Sequence, residues 1–269
     1  MIRINARGAV YGEIWYDEDP PGDPGVDILL YRQRAAPIPR VRTKPFLSLT
    51  VNLDFNADEI MGQFGKDCRY KIRRADTKDG LRMEFITEPA SRLQEFCRFY
   101  DAFAQQKGVQ PADTKWLAAA CKAGQLVFTA AFQGEEALVW HAYLTCRKSA
   151  QLQYTGSHFR NMGNDHRALV GRANRWLHWQ DMVRFKEIGM KRYDWGGLFE
   201  DESTPERAGI NRFKKEFGGT QERTYDCTVP LTLRGRIYLP LREALDQLRG
   251  AYRRLSTGKA RFDSKQPAF

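Results

Sequence analysis

Between Leu126 and Trp195 the chain reads as three strands on short turns, one long amphipathic helix and one further strand, an order that few folds accept. Leu126 to Phe132, Ala137 to Cys146 and Ala150 to Thr155 are joined at Gln133-Gly134-Glu135 and Arg147-Lys148-Ser149. Turns this short make an antiparallel meander. After Gly156 and Gly163 a helix begins near Asn164-Asp165, with Leu169, Ala173, Trp176, Leu177, Val183 and Ile188 at a roughly helical period and Gly189 as its stop. The strand from Lys191 to Trp195 follows directly, and a helical crossover can lay it parallel to its neighbour. The order predicts an α/β fold.

The flanks extend this plan. Phe46 to Leu53 alternates apolar and polar residues at period two, as a half-buried strand does. Asn56 can cap a helix with Asp58 and Glu59 in its first turn and Ile60, Phe64, Cys68 and Ile72 as its buried stripe. Leu81 to Ile86 reads as a strand, Leu93, Phe96, Cys97, Tyr100 and Phe103 mark another amphipathic helix, and Asp113 opens a short one. Gln221 to Val229 is a strand that Pro230 closes. A terminal helix then sets Leu241, Ala244, Leu245, Leu248, Ala251, Tyr252 and Leu255 on one face and Arg242, Arg249, Arg253 and Arg254 on the other, before a polar, loose tail from Ser256. At the other end, Asp19 to Gly25 is a loop between short strand-like flanks. The expected organisation is a β-rich segment or partial subdomain over 1–45, a domain over 46–230, and a basic amphipathic helix with its tail over 231–269.

Forty-three Lys and Arg against 33 Asp and Glu give the 269 residues a net charge of +10, which suits an anionic partner such as RNA, a nucleotide, coenzyme A or a phospholipid surface, or serves solubility alone. Lys66, Arg69, Lys71, Arg73 and Arg74 crowd one helix, as a solvated face or as an anion contact. Five dispersed cysteines without a CxxC pair, and four histidines without HExxH, point away from a disulfide framework and from a metal site. No apolar run approaches the roughly 20 residues of a membrane span, and the N-terminus lacks a secretory signal, so the expected location is cytoplasmic.

Glycines after a strand and before a helix offer backbone N–H groups to an anion, and here Gly163 and Asn164 are flanked by Arg160 and Arg167. Three stretches carry a resemblance: Asp67 to Ala75, Tyr193-Asp194-Trp195-Gly196-Gly197, and Gly209 to Gly218, the last containing Arg212-Phe213-Lys214-Lys215-Glu216-Phe217-Gly218. Together they resemble the landmarks of the Fem family, aminoacyl-tRNA-dependent transferases that build peptidoglycan cross-bridges on the fold of the GCN5-related N-acetyltransferases. The resemblance covers roughly residues 46 to 229.

It implies a mixed sheet with an antiparallel meander, a long helix and a splayed parallel strand pair, flanked by helices. It also implies acyl transfer to an amine on a cell-envelope, polysaccharide or peptidoglycan precursor, with the donor in the splay. The donor is an acyl-coenzyme A or an aminoacyl-tRNA serving as co-substrate, with no tightly bound cofactor. Phe213 and Lys214 would meet the reacting ester and stabilise its oxyanion. Arg212 and Lys215 join the donor phosphate contacts, while Arg69, Lys71, Arg73 and Tyr154 are candidates for the acceptor or another anion. The base is open among Asp194, His141, Tyr154, Asp165 and water. Fem transferases typically contain two copies of this domain and some a helical hairpin; this chain has room for one copy and shows no heptads. The competing expectation is a non-catalytic module of the same fold that binds RNA or an anionic glycan. A peripheral contact with a membrane surface is compatible with either.

Overall fold

The computed structural model describes residues 1–6, 8–159 and 162–257. The side chains expected at Arg249, Ala251, Tyr252, Arg253, Arg254 and Leu255, the tail beyond Thr257, and Arg160 lie outside the described residues. The chain forms two compact units, residues 1–46 with the described residues from Arg223 on, and residues 47–222.

The first unit opens with β1 (Ile2–Ala6), β2 (Ala9–Trp15) and β3 (Ile28–Arg34), and β4 (Arg42–Asn52) leads into the second. The second contains α1 (Ala57–Gly62), α2 (Lys66–Lys78), β5 (Leu81–Ile86), α3 (Leu93–Lys107), α4 (Thr114–Lys122), β6 (Leu126–Gln133), β7 (Glu136–Cys146), β8 (Ser149–Ser157), α5 (Asn164–Glu187), β9 (Arg192–Gly197) and α6 (Pro205–Lys215). Then β10 (Thr220–Pro230) returns the chain to the first unit, which ends in α7 (Leu233–Thr257). In the first unit the strand order is β1-β2-β3-β10. There β2 and β3 run parallel and the other pairs antiparallel.

In the second unit the order is β4-β9-β8-β7-β6-β5. The meander is the antiparallel β6-β7-β8, and the α5 crossover brings β9 parallel to β8. Val170, Ala173, Leu177, Met182 and Phe185 of α5 meet Val139, Tyr143, Leu152, Tyr193 and Trp195 of the strands in one buried cluster. Ile60, Phe64, Cys68 and Ile72 enter the same cluster, as their fourfold spacing demands.

That spacing suggested one continuous helix, and the structure breaks it in two. Asn56 and Glu59 form a capping box at the start of α1. At its end the chain turns through Gln63 to Gly65, where Gly65 N–H donates to the Glu216 carbonyl at 2.7 Å. Arg69 donates to the Gly62 and Phe64 carbonyls, which the break leaves without helical partners.

The lysine pair ends helix α6, with Thr204 as N-cap and Pro205 in the first turn. The turn after it is Gly218-Gly219, at φ +68° and +89°. A Cβ on Gly219 would stand 2.4 Å from the Thr50 carbonyl oxygen, and one on Gly218 would stand 2.8 Å from Gln63 Cβ. Gly219→Ala is therefore expected to lower the unfolding free energy by about 2 kcal/mol or more, read as a fall in the urea midpoint at unchanged slope.

Candidate active site

The parallel pair parts early. Ser149, Ala150 and Gln151 pair with Arg192, Tyr193 and Asp194; beyond that point β8 runs on to Ser157 and β9 to Gly197 without pairing. Both strands are irregular where they part. Between β7 and β8 the register shifts around Gln153, and between β4 and β9 it shifts at Ser48/Thr50. Gly196 takes φ +70°, and the Asp194 carboxylate accepts its N–H at 2.8 Å. A left-handed residue in β9, held by the carboxylate two residues back, bends the strand.

Lys214 reaches β9 just past the last pair. Its Nζ donates to the carbonyls of Trp195 and Gly197 at 2.9 and 2.7 Å. Only 3% of Lys214 is exposed. Burial pulls its ammonium down to about 7, with the Asp194 charge opposing the fall and that of Lys107 adding to it. Phe213, the preceding residue, is half-buried against Trp195, Phe217 and His178, with the Arg175 guanidinium 4.8 Å above its ring. Arg175 also holds Glu216 through two donors at 2.8 and 2.9 Å, tying α5 to the end of α6.

Behind this wall lies a buried polar network. Two donors converge on Asp181 Oδ2, Tyr143 O–H at 2.6 Å and His141 Nδ1 at 2.8 Å. Tyr143 has one proton and gives it to Asp181, so its oxygen accepts from Tyr193 O–H at 2.8 Å. Tyr193 has then spent its proton and accepts from His178 Nδ1–H at 2.7 Å. The chain of single donors fixes the His178 tautomer. Its Nε2, buried and without a hydrogen-bond partner among the described residues, carries the lone pair. The ring lies 4.3 Å from Trp195 and 5.8 Å from Phe213 by centroid. Burial, reinforced by His141, Lys214 and Arg175, holds His178 well below the usual histidine range, and burial beside Asp181 raises both tyrosines.

His141, His178 and Asp181 bring ligand atoms within 4.8 Å of one another. The two rings stack at 4.0 Å and 21°, so their in-plane lone pairs do not converge on one ion. The geometry is that of a proton-sharing network.

The other expected site residues are dispersed. Asp194 is fully buried and also takes Arg192 at 3.4 Å. His141 lies inside the network, with Nε2 2.9 Å from Asn174 Oδ1. On β8 beyond the parting, the Tyr154 hydroxyl accepts Asp113 N–H at 3.2 Å. Gly163 is the N-cap of α5 and makes no side-chain cap bond; Asn164, Asp165 and Arg167 are exposed in its first turn. Lys215 pairs with Glu202 at 3.1 Å, and Arg212 is exposed. On α2, Arg69 holds the end of α1, Lys71 pairs with Asp67 at 2.6 Å, and Arg73 is exposed. The structure thus gathers Phe213, Lys214 and Asp194 at β9 and leaves the α2 cations on their own helix.

Sequence reasoning missed His178, Asp181 and Tyr143. A signal was present: Asn174, His178 and Asp181 follow one another at four and three residues on α5, a polar row inside its apolar face. A hollow of about 290 Å³ lined by Asp23, Val26, Asp27 and Thr232 lies in the first unit, but Asp27 there is committed to Val10 N–H and the Thr232 hydroxyl.

No family model and no curated protein matches the sequence. Among solved structures, FemX superposes with a TM-score of 0.56 at 15% identity, over 71% of this chain and 63% of that one. Over the superposed part the chain shares its fold with FemX. It is the α/β architecture that the three landmarks implied, with its meander, long helix and splayed parallel pair. The C-terminal domain of a protein described as a lysylphosphatidylglycerol synthetase, from Agrobacterium fabrum, superposes with a TM-score of 0.52 at 13% identity, over 74% of this chain and 67% of that one. This chain therefore spans less than two thirds of FemX. No helix among the described residues is long and apolar enough to cross a membrane.

Proposed function

We propose that residues 47–222 form an acyltransferase that moves an acyl or aminoacyl group from an acyl-coenzyme A or an aminoacyl-tRNA to an amine of a cell-envelope, polysaccharide or peptidoglycan precursor. The observation that carries this reading is the parting of β8 from β9 beside a buried lysine. An opened parallel pair gives an extended donor two strand edges, and the Lys214 ammonium puts positive charge at the gap. In the step, the amine nitrogen attacks the donor carbonyl, and the oxyanion collapses with loss of the thiolate or the ribose alkoxide. The amine proton passes to a base or to water, and the leaving group takes up one proton.

Of the candidate bases, Asp194 is engaged by Gly196 N–H and Arg192, whereas His178 presents a lone pair beside Phe213 and Trp195. The first turn of α5 at Gly163 and Asn164, which has no side-chain cap among the described residues, is our candidate for the donor phosphates, with Arg167 beside it; Lys215 is paired with Glu202 instead. FemX and the synthetase-like domain lend the aminoacyl donor some weight, since the latter's name joins lysine to phosphatidylglycerol.

The test is a transfer assay with purified protein, radiolabelled acetyl-coenzyme A or charged tRNA, and a panel of amines. Transfer from one donor class supports the reading, and no transfer from either sinks it. Salt identifies the donor: binding of tRNA, with many phosphates, is expected to weaken by about 10³-fold or more between 50 and 200 mM salt, and binding of coenzyme A only mildly.

A further inference from the structure

Helix α7 is apolar on two faces. On one, Tyr238 and Leu239 pack on the cluster of Ala9, Tyr11 and Ile28. Gly235 lies on that face too, so close to β3 that a Cβ there would stand 2.3 Å from the Asp27 carbonyl oxygen. Arg242 completes it by donating to the Tyr11 hydroxyl at 3.2 Å. The docked face accounts for none of the leucine row.

Leu233, Ile237, Leu241, Leu245 and Leu248 are 74, 54, 59, 54 and 67% exposed. Steps of four, four, four and three residues set them in one stripe roughly 120° wide, turned away from the docked positions. Single exposed leucines are ordinary on a protein surface, whereas a continuous row of five marks a contact. Its charge setting is one-sided. Residues 233–257 contain six arginines against Glu243 and Asp246, and Glu243 is already ion-paired with Arg42. By helical angle, the exposed Arg234, whose Nε donates to the Gly8 carbonyl at 2.7 Å, lies within the stripe near one edge, and the exposed Arg236 lies beyond the other edge.

We propose that α7 lies along an anionic phospholipid surface, with the leucine row at the boundary between headgroups and acyl chains and Arg234 and Arg236 at the phosphates. A helix with an apolar stripe between cations has the pattern of an interfacial helix. A second copy of this chain seated on the same row would bring arginine against arginine, so the charge favours lipid. The inference concerns the first unit alone and stands or falls separately from acyl transfer by the second.

Co-sedimentation of the full chain with vesicles tests it, using phosphatidylcholine alone and a mixture with about 30% phosphatidylglycerol. The chain is expected to sediment with the anionic vesicles at low salt, to stay in solution with the neutral ones, and to be released as salt rises. The combined change Ile237→Gln, Leu241→Gln and Leu245→Gln, at exposed positions, is expected to weaken binding roughly tenfold or more with an unchanged circular dichroism spectrum. Arg236→Glu leaves the row intact and is expected to weaken binding to the anionic vesicles alone. Failure to sediment with anionic vesicles, or equal binding by the triple variant, overturns the proposal. So does a dimer in light scattering that the triple variant turns into a monomer, which assigns the row to a second copy.

Discussion

Asp181→Ala is expected to lower the unfolding free energy by about 3 to 5 kcal/mol, the range for removing one partner from a buried charged or hydrogen-bonded pair. Two donors, His141 Nδ1–H and the Tyr143 hydroxyl, end on the one oxygen that this change deletes. Neither has water to turn to, because both residues are fully buried. The loss propagates. Without the carboxylate nothing dictates which way the Tyr143 and Tyr193 protons point, and His178 loses its fixed tautomer. Asp181→Asn keeps a carbonyl acceptor at the same place and is expected to cost less than half as much. Urea unfolding of the three proteins at one pH decides the matter, and an alanine variant as stable as the parent would show that the network contributes nothing.

Lys214→Met has its largest expected effect on rate. Loss of a fixed cation at a developing oxyanion typically lowers turnover by about 10²- to 10³-fold, and that is the expected fall in the transfer assay. Two features separate this role from a purely structural one. If the ammonium is the active form, wild-type transfer at saturating donor falls as pH rises through about 7. Stability moves the opposite way. The folded-state value lies below the unfolded one of roughly 10.4, so between the two the unfolded chain binds more protons and stability rises with pH. Below about 7 both states are protonated and the full penalty of burying the charge remains. Lys214→Met is expected to abolish that rise between pH 7 and 10 while leaving the Trp195 and Gly197 carbonyls without their partner. A variant that keeps both the rate and the slope removes Lys214 from the mechanism.

How far these residues could be read from the sequence differs case by case. Lys214 stood out through its motif, but the motif did not say which element carries it. The residues that look most like a turn, Gly218 and Gly219, are the turn, and the lysines belong to the helix before it. The fourfold row from Ile60 to Ile72 correctly marked buried residues and concealed the break between α1 and α2. Periodicity survives a break when both halves face the same core. The break itself depends on Glu216, far along the chain, whose carbonyl takes the Gly65 N–H.

Sequence by itself determined the order of elements, because turn lengths and apolar spacing are local: short turns force a meander, and a long helix between strands permits a parallel return. It also marked much of the apolar core, such as Ile60, Phe64, Cys68 and Ile72. Tertiary structure alone decided where β8 and β9 part, that the ammonium of Lys214 lies under two carbonyls of β9, and that α5 lends His178 and Asp181 to tyrosines on β7 and β9. Hydrogen-bond direction and desolvation arise only when distant segments are packed together, so a tautomer or a displaced lysine titration has no signature along the chain.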